Sequence, residues 1–166
     1  MTHDDLTGRL VVTWLTSDHL DPGMLVRLVA DVAGIDADGI RLVRACRSCG
    51  SDQHGKPQIV MPFGEPRLHL SYSRSGGRAV VAVTETGPVG IDLEAVRTSE
   101  HDVAAWVRTE SLVKATGHGI TTDPHLIDDA PVWTGDLAAP DGFVAAVTVL
   151  TDAPPQIISE SAAPGG

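Results

Sequence analysis

The chain has 166 residues, which is enough for one domain with a core or for two small lobes that share one. A hydrophobic content of 42% excludes a disordered chain, and no apolar run approaches the ~20 residues that span a bilayer. The net charge of −10 argues against general nucleic-acid binding. The N-terminal residues lack the apolar segment of a secretory signal, so we expect a cytoplasmic protein.

Positive charge is concentrated in one part of this acidic chain. The segment from Arg41 to Arg78 contains seven basic residues and only two acidic ones. Such a segment suits a small anionic ligand, although an exposed basic surface explains it equally well. The chain has ten arginines but only two lysines, Lys56 and Lys114. Each lysine is therefore a candidate for a task that favours a compact ammonium group over a guanidinium.

Local signals predict seven strands and two helices. Asp21 and Pro22 are typical of a helix start, and Gly34 is typical of its end. Ser99 is the predicted cap of a second helix that runs to Thr116. The predicted strands, each bounded by turn residues, are Arg9–Leu15, Ile40–Arg44, Leu68–Ser71, Ala79–Val83, Val89–Glu94, Phe143–Leu150 and Gln156–Ser159.

Two long segments are predicted to lack regular structure. Cys46 to Pro66 is rich in glycine, proline and polar residues and is interpreted as an extended functional loop, and Asp123 to Pro140 is also loop-like. A break at Thr84 to Pro88 divides the chain into two halves, each with several strands and one helix. Because strands outnumber helices and the helices stand singly between groups of strands, the pattern predicts an α+β fold.

The segment from Gly90 to Glu94 contains two closely spaced acids. Because alternate side chains of a strand point to the same face, Ile91 and Leu93 are expected in the core, with Asp92 and Glu94 together on the other face. Two carboxylates at this spacing repel each other unless a cation lies between them, and a hard divalent cation is the usual one. A solvated strand face is the alternative explanation.

The second predicted helix supplies a third carboxylate. Trp106, Glu110 and Lys114 recur every four residues and share one helix face. We expect the tryptophan to pack the helix against the sheet, the glutamate to complete a metal site, and the lysine to hold a phosphate oxygen. The alternative is an ordinary Glu–Lys helix pair worth about 0.3–0.5 kcal/mol.

Four motifs, taken in order, resemble those of the 4′-phosphopantetheinyl transferase superfamily. They are H-G-K-P at 54–57, L-H-L-S-Y-S at 68–73, G-I-D-L-E at 90–94 and W-V-R-T-E-S-L-V-K at 106–114. The first two motifs make the surfactin-synthetase-activating branch the better match, as a short member of the actinobacterial type. The resemblance implies two pseudo-symmetric small lobes, each a mainly antiparallel sheet packed against a helix. We expect them at residues 1–85 and 86–158, followed by a flexible tail at 159–166.

The resemblance also implies an activity and its catalytic residues. It predicts a monomeric, Mg²⁺-dependent enzyme that transfers phosphopantetheine from coenzyme A to a serine of an acyl- or peptidyl-carrier protein, without nucleic-acid or membrane partners. Fatty-acid, polyketide and nonribosomal peptide synthesis all stay open as the pathway that the carrier serves. The implied metal ligands are Asp92, Glu94 and Glu110, which lie in the second lobe. Glu110 is also the implied general base, and Lys114 is implied to contact the pyrophosphate.

The implied coenzyme A contacts lie in the first lobe. Gly55, Lys56 and Pro57 match the family residues that border the adenine. Ser71 and Tyr72 match those at the 3′-phosphate, where the basic segment would help. Further candidates for the same anion are Arg74 and Arg78.

This chain departs from the family pattern at three places. Thr109 stands where the family has its first lysine, Tyr72 stands where the branch has histidine, and the chain is short at its N-terminus. These departures leave open a second hypothesis, a non-catalytic homologue that binds carrier proteins. The intact set of three acids favours an active enzyme.

Cys46 and Cys49 form a C-x-x-C pair that is followed by His54. Three explanations stay open: a structural zinc site, which would make the chain a small zinc-binding module, a redox pair, or a reduced loop that positions Lys56. A zinc site normally needs a fourth ligand, and the pattern does not show whether His101, His118 or His125 would supply it. His118 lies between two glycines and is interpreted as part of a turn after the second helix.

Overall fold

The computed structural model describes residues 7–46, 49–62, 67–96, 102–117 and 130–162. Within these ranges the chain forms strands, two α-helices and one short 3₁₀ helix. In chain order they are β1 (Arg9–Leu15), α1 (Pro22–Ala33), the 3₁₀ helix (Ala37–Gly39), β2 (Arg41–Ala45), β3 (Lys56–Val60), β4 (His69–Ser75), β5 (Arg78–Thr84), β6 (Val89–Ala95), α2 (Val103–Thr116), β7 (Trp133–Leu137), β8 (Phe143–Val149) and β9 (Gln156–Ser161). The predicted cap Ser99 and the predicted turn at His118 lie outside the described residues.

The strands form three sheets that are mainly antiparallel. The largest has the order β4-β5-β1-β9, the second is the β2-β3 hairpin, and the third has the order β6-β8-β7. The one parallel pair among the described strands joins β1 to β9, with Arg9 opposite Gln156. This arrangement confirms the predicted α+β class. The pseudo-symmetry of two lobes stays a prediction.

The two faces of β1 and β5 are buried against different elements. Val11, Val81 and Val83 pack in one apolar cluster with residues of α1. Leu10 and Val80 pack in a second cluster with residues of β6 and β8. Helix α2 contacts β6 and β8. The first sheet is therefore covered by α1 on one face and by the β6-β8-β7 sheet on the other, and burial of apolar surface in both clusters stabilises this order of layers.

Helix α1 begins and ends where its local signals predict. The Asp21 carboxylate accepts a hydrogen bond from the Met24 amide at 2.8 Å, and Pro22 occupies the first turn. Gly34 ends the helix in the left-handed conformation, with φ of 68°. A side-chain acceptor at the start and a glycine at the end satisfy backbone groups that the helix leaves open, so these boundaries depend on local chemistry.

Two segments predicted to be loops contain strands. β3 lies within the predicted loop from Cys46 to Pro66 and pairs with β2. β7 lies within the predicted loop from Asp123 to Pro140 and pairs with β8. Proline, glycine and aspartate are depleted in strands. Because β3 contains a proline and β7 contains a glycine and an aspartate, the composition of both segments predicted loops. A Cβ on Gly135 would lie 2.6 Å from the Trp133 ring, which shows that the indole covers this glycine.

Helix α2 differs from its prediction in two respects. It begins at Val103, and Asp102, predicted to lie inside the helix, is its cap and accepts a hydrogen bond from the Ala105 amide at 3.1 Å. Trp106 is 50% exposed, so the prediction that it packs the helix against the sheet is wrong. In this turn of α2 the buried apolar side chain is that of the next residue, Val107. Neither described helix is long and apolar enough to cross a membrane.

Strand β9 continues into the segment predicted to be a flexible tail. It runs through Ser161, which lies opposite Trp14 of β1. The Trp14 indole N–H also donates a hydrogen bond to the Ser159 hydroxyl at 3.0 Å. Residues 159–161 are thus part of the largest sheet, and residues 163–166 of the predicted tail lie outside the described residues.

Gly90 allows β6 and α2 to approach each other closely. A Cβ at this position would lie 2.0 Å from the Ser111 carbonyl oxygen and 2.3 Å from the Ala115 nitrogen. Both neighbours are backbone atoms that a side-chain rotation cannot move. We therefore predict that Gly90→Ala lowers the free energy of unfolding by about 3 kcal/mol or more, measured by chemical denaturation.

Gly77→Ala is the matched control. Gly77 has φ of 80°, and nothing lies within 4 Å of the Cβ that alanine would add. The control therefore reports backbone strain alone, which we expect to cost about 1–2 kcal/mol. A Gly90→Ala protein as stable as the control would show that the strand and the helix are not in backbone contact.

Candidate functional site

Strand β6 and helix α2 bring the three predicted acids into one region. Ile91 and Leu93 are buried in the second apolar cluster, as predicted. Gly90, on the opposite face of β6, lies against the α2 backbone. Because strand side chains alternate, Asp92 and Glu94 emerge on the same side as Gly90 and therefore on the side of the helix. Asp92 is only 4% exposed.

Three serines of β4 hold the free edge of β6. The hydroxyls of Ser71 and Ser75 accept hydrogen bonds from the Ile91 amide at 3.1 Å and from the Ala95 amide at 3.0 Å. Ser73 and Ser75 also donate hydrogen bonds, at 3.0 Å, to the carboxylates of Asp92 and Glu94, respectively. These serines therefore pair backbone groups of the edge strand and orient both acids.

Ser73 and Ser75 are residues of the candidate site that the sequence analysis did not identify. The alternation of serine along L-S-Y-S-R-S, with a period of two residues, was the available signal because it places all three hydroxyls on one face of a strand. Their partners, 19 or 20 residues away in the sequence, carry no pattern of their own.

Lys114 contacts the acid to which the sequence analysis had assigned a metal. Its ammonium group donates hydrogen bonds to Asp92 Oδ1 at 2.7 Å and to the Ile91 carbonyl at 3.1 Å. Asp92 Oδ1 thus accepts from both Ser73 and Lys114. Asp92 Oδ2 is buried and has no hydrogen-bond partner among the described residues. Leaving a buried polar atom unsatisfied costs about 1–3 kcal/mol, so this oxygen suggests a ligand-binding role.

Glu110 reaches the same region from α2 and is 9% exposed. Burial raises the pKa of Glu110 above its ordinary value of 4.5, and the charges of Asp92 and Glu94 raise it further, against the opposing effect of Lys114. Among the described residues, none donates a hydrogen bond to this carboxyl group. Glu110 is therefore a buried acid whose pKa both strand acids raise and to which no side chain in the described ranges donates a hydrogen bond.

The three acids are oxygen donors that suit a hard cation, and the unpartnered Asp92 Oδ2 fits that use. They do not converge as tightly as preformed metal ligands. Of the described side chains, the set of three whose ligand atoms lie within 4.8 Å of one another is Cys46, Cys49 and His54. The acids would therefore have to rotate towards a shared cation.

Arg44 brings together two of the residues predicted to bind coenzyme A. It donates hydrogen bonds to the Gly55 carbonyl at 3.0 Å and to the Tyr72 hydroxyl at 2.6 Å. Its guanidinium also lies 6.0 Å from the centre of the Tyr72 ring. An open pocket of 330 Å³ adjoins this arginine and is lined by Pro22, Leu25, Leu42, Val43, Arg44, Asp52 and Pro57. The sequence analysis placed Arg44 in the basic segment but gave it no role in the site.

Lys56 and Ser71 make contacts that the resemblance did not suggest. Lys56 donates hydrogen bonds, each 2.8 Å long, to the carbonyls of Val89 and Ala115. The ammonium therefore lies at the C-terminal turn of α2, where the helix dipole favours positive charge, and joins the β2-β3 hairpin to β6. Ser71 is 5% exposed, with its hydroxyl on the Ile91 amide. The coenzyme A contacts of both residues stay predictions.

Thr109 and its neighbour Arg108 make contacts away from the acids. The Thr109 hydroxyl donates to the Ala105 carbonyl of its own helix at 3.0 Å. Arg108 donates two hydrogen bonds to the carboxylate of Asp136 on β7. Arg108 is thus engaged in an exposed ion pair and does not replace the lysine that the family has at position 109.

The raised pKa of Glu110 has a consequence for stability. The unfolded chain loses the Glu110 proton at the ordinary pKa, whereas the folded protein keeps it to a higher pH. The free energy of unfolding therefore falls as the pH rises from the unfolded-state pKa to the folded-state pKa. We therefore predict that Glu110→Gln raises the thermal unfolding midpoint at pH 7 without Mg²⁺. The gain should vanish below about pH 4, where both states are protonated.

Glu160→Gln, on an exposed residue of β9, is the matched control and should change the midpoint little at either pH. Calorimetry across this pH range measures both variants. A lower midpoint for Glu110→Gln at pH 7 would mean that the carboxylate of Glu110 is stabilised in the fold, against the pKa direction given above.

Comparison with known proteins identifies two relatives, although no protein-family model matches the chain. The 4′-phosphopantetheinyl transferase HetI of Nostoc sp. (strain PCC 7120) is 30% identical over 138 residues, which cover 59% of this chain and 58% of the relative. A 4′-phosphopantetheinyl transferase of Bacillus subtilis is 35% identical over 82 residues, which cover 49% of this chain and 32% of the relative.

The chain thus spans less than two thirds of the length of either relative. Both relatives carry the same family name, and it is the family that the four sequence motifs resemble. The similarity to these two relatives therefore supports the superfamily that the four motifs predict.

Proposed function

We propose that the protein, acting as a cytoplasmic monomer with Mg²⁺, transfers phosphopantetheine from coenzyme A to a serine of an acyl- or peptidyl-carrier protein. The observation that carries this proposal is the hydrogen bonding of Asp92. Its Oδ1 accepts from Lys114 and Ser73, whereas its buried Oδ2 has no partner in the described part of the chain. The names of the two relatives support the class of reaction. The donor and the acceptor are inferred from the family resemblance.

Asp92, Glu94 and Glu110 are the residues that would hold Mg²⁺. All three offer carboxylate oxygens, the ligands that this hard cation prefers. When bound, the ion would neutralise charge on the pyrophosphate of coenzyme A. Ser73 and Ser75 each donate one hydrogen bond to a strand acid, so the carboxylates that would bind the metal are already partly oriented.

Glu110 is the general base in this proposal. Asp92 and Glu94 accept hydrogen bonds from Ser73, Ser75 and Lys114, whereas no described residue donates one to Glu110, so its carboxylate is the one best able to accept a proton. The carrier serine Oγ forms a bond to the β-phosphorus of coenzyme A, and its proton passes to the Glu110 carboxylate. The bond between the β-phosphorus and the bridging oxygen breaks, and 3′,5′-adenosine bisphosphate leaves.

Lys114 would contact the pyrophosphate from its place beside Asp92. Asp92 Oδ1 and the Ile91 carbonyl hold two of its three N–H groups, so the ammonium is anchored. A compact positive charge held there stabilises the negative charge that develops on the phosphates during transfer.

The adenosine end of coenzyme A would lie along the β2-β3 hairpin. Gly55, Lys56 and Pro57 are assigned to the adenine, and Ser71 with Tyr72 to the 3′-phosphate. Because Ser71 is buried and its hydroxyl already serves β6, we assign the main 3′-phosphate contact to Arg44. Arg44 already links Gly55 to Tyr72 and carries the fixed charge that a phosphate requires.

A non-catalytic homologue that binds carrier proteins is the second candidate function. Two observations favour it: Thr109 replaces a family lysine and bonds to its own helix, and Arg108 is committed to Asp136. A homologue of this kind would bind a carrier protein without modifying it.

Transfer of phosphopantetheine separates the two candidates. We predict that the protein, incubated with Mg²⁺, coenzyme A and a panel of apo-carrier proteins, adds the mass of one phosphopantetheine to a carrier, as measured by intact mass spectrometry. Asp92→Asn should lower the rate of transfer at least about 100-fold, because it removes the negative charge that would bind the metal and that pairs with Lys114. A chelator should stop the reaction, and added Mg²⁺ should restore it.

Asp136→Asn is the matched control, since it makes the same substitution in an exposed ion pair outside the proposed site. It should retain the rate of the unmodified protein, and circular dichroism should show that both variants are folded. No mass gain on any carrier, or equal rates for Asp92→Asn and the control, would contradict the proposal.

A further inference from the structure

The loop between β2 and β3 carries a cluster of metal-ligating side chains separate from the three acids. The ligand atoms of Cys46, Cys49 and His54 all lie within 4.8 Å of one another, and neither cysteine is in a disulfide. We propose that these three side chains bind one Zn²⁺ ion, with water as the fourth ligand, and that this ion fixes the end of the hairpin.

The distances suit a tetrahedral zinc site. Cys49 Sγ lies 3.4 Å from His54 Nε2. Zinc–sulfur and zinc–nitrogen bonds of about 2.3 Å and 2.0–2.1 Å, at a tetrahedral angle, place the two ligand atoms about 3.5 Å apart. Cys49 and His54 therefore already have nearly the spacing that the ion requires, and the Cys46 sulfur lies within 4.8 Å of both ligand atoms.

The donor set identifies the class of ion. Two sulfur ligands and one imidazole nitrogen favour a borderline-soft ion such as Zn²⁺ over Mg²⁺, which prefers oxygen. A redox role for the cysteine pair would not require His54, whereas a zinc site uses its ring nitrogen directly. The histidine contact thus favours the metal over the other two explanations that the sequence leaves open.

Backbone hydrogen bonds hold the loop in the shape that gathers the ligands. The Cys46 amide donates to the Ser51 carbonyl at 2.9 Å, and the Gly50 amide donates to the Cys46 carbonyl at 2.8 Å. Gly50 has φ of 71°, which a residue with a Cβ rarely adopts, and it directly follows Cys49. These contacts close the loop next to both cysteines, and a loop that is already closed loses less conformational entropy when it binds an ion.

The proposed ion lies at the loop end of the β2-β3 hairpin, and this hairpin contacts the candidate active site. The last pair of the β2-β3 ladder is Ala45 with Lys56, so Cys46 and Gly55 follow directly on either side. Lys56 then reaches the carbonyls of Val89 and Ala115. Zinc would therefore hold the strand from which Lys56 contacts both β6 and α2.

Metal content of the protein tests this inference. We expect chelator-treated, reduced protein to take up one Zn²⁺ per chain, measured by elemental analysis, and to give a tetrahedral thiolate spectrum with Co²⁺ that Zn²⁺ abolishes. Cys46→Ser, Cys49→Ser and His54→Gln should each weaken Zn²⁺ binding at least about tenfold. Bound zinc should raise the thermal unfolding midpoint of the unmodified protein.

Two controls keep this result separate from the proposed transferase activity. His19→Gln removes an exposed histidine elsewhere and should leave zinc uptake unchanged. Asp92→Asn should also bind zinc normally, because Asp92 is not a ligand here. Less than one zinc per chain, zinc uptake retained by a Cys46→Ser and Cys49→Ser double variant, or a Cys46–Cys49 disulfide formed in reduced glutathione would overturn the proposal.

Discussion

The rest of the structure depends on how the free edge of β6 is satisfied. β6 is the outer strand of its sheet, and an outer strand exposes unpaired amides and carbonyls on one side. Two amides of this edge bond to serines of β4, and two carbonyls, those of Val89 and Ile91, bond to Lys56 and Lys114. Side chains from three different elements therefore pair an edge that a neighbouring strand would ordinarily pair.

This arrangement explains why a chain so rich in arginine keeps two lysines. Each ammonium donates to one β6 carbonyl and to one further acceptor, Ala115 for Lys56 and Asp92 for Lys114. A compact group with three donors can serve two acceptors on a crowded edge, whereas the planar guanidinium has a fixed fork of donors. The count of lysines in the sequence therefore predicted special positions, but their shared strand became visible only in the fold.

The sequence predicted those features that depend on local chemistry. The bounds of β1 and both caps of α1 follow from residues within a few positions, and the alternation along β6 placed Asp92 and Glu94 on one face. Features that depend on distant partners were missed or wrong. β3 and β7 are strands because β2 and β8 pair with them, and Ser73 matters because Asp92 lies opposite it.

The two proposed ion sites use different donor chemistry and meet at one residue. Carboxylate oxygens at β6 and α2 favour a hard cation, and sulfur with imidazole in the β2-β3 loop favours a borderline-soft one, so the two sites prefer different ions. Lys56 connects them, because its backbone lies at the end of the hairpin and its ammonium reaches β6 and α2. An ion that fixes the hairpin would therefore stabilise the edge strand that carries the acids, through contacts that are already present.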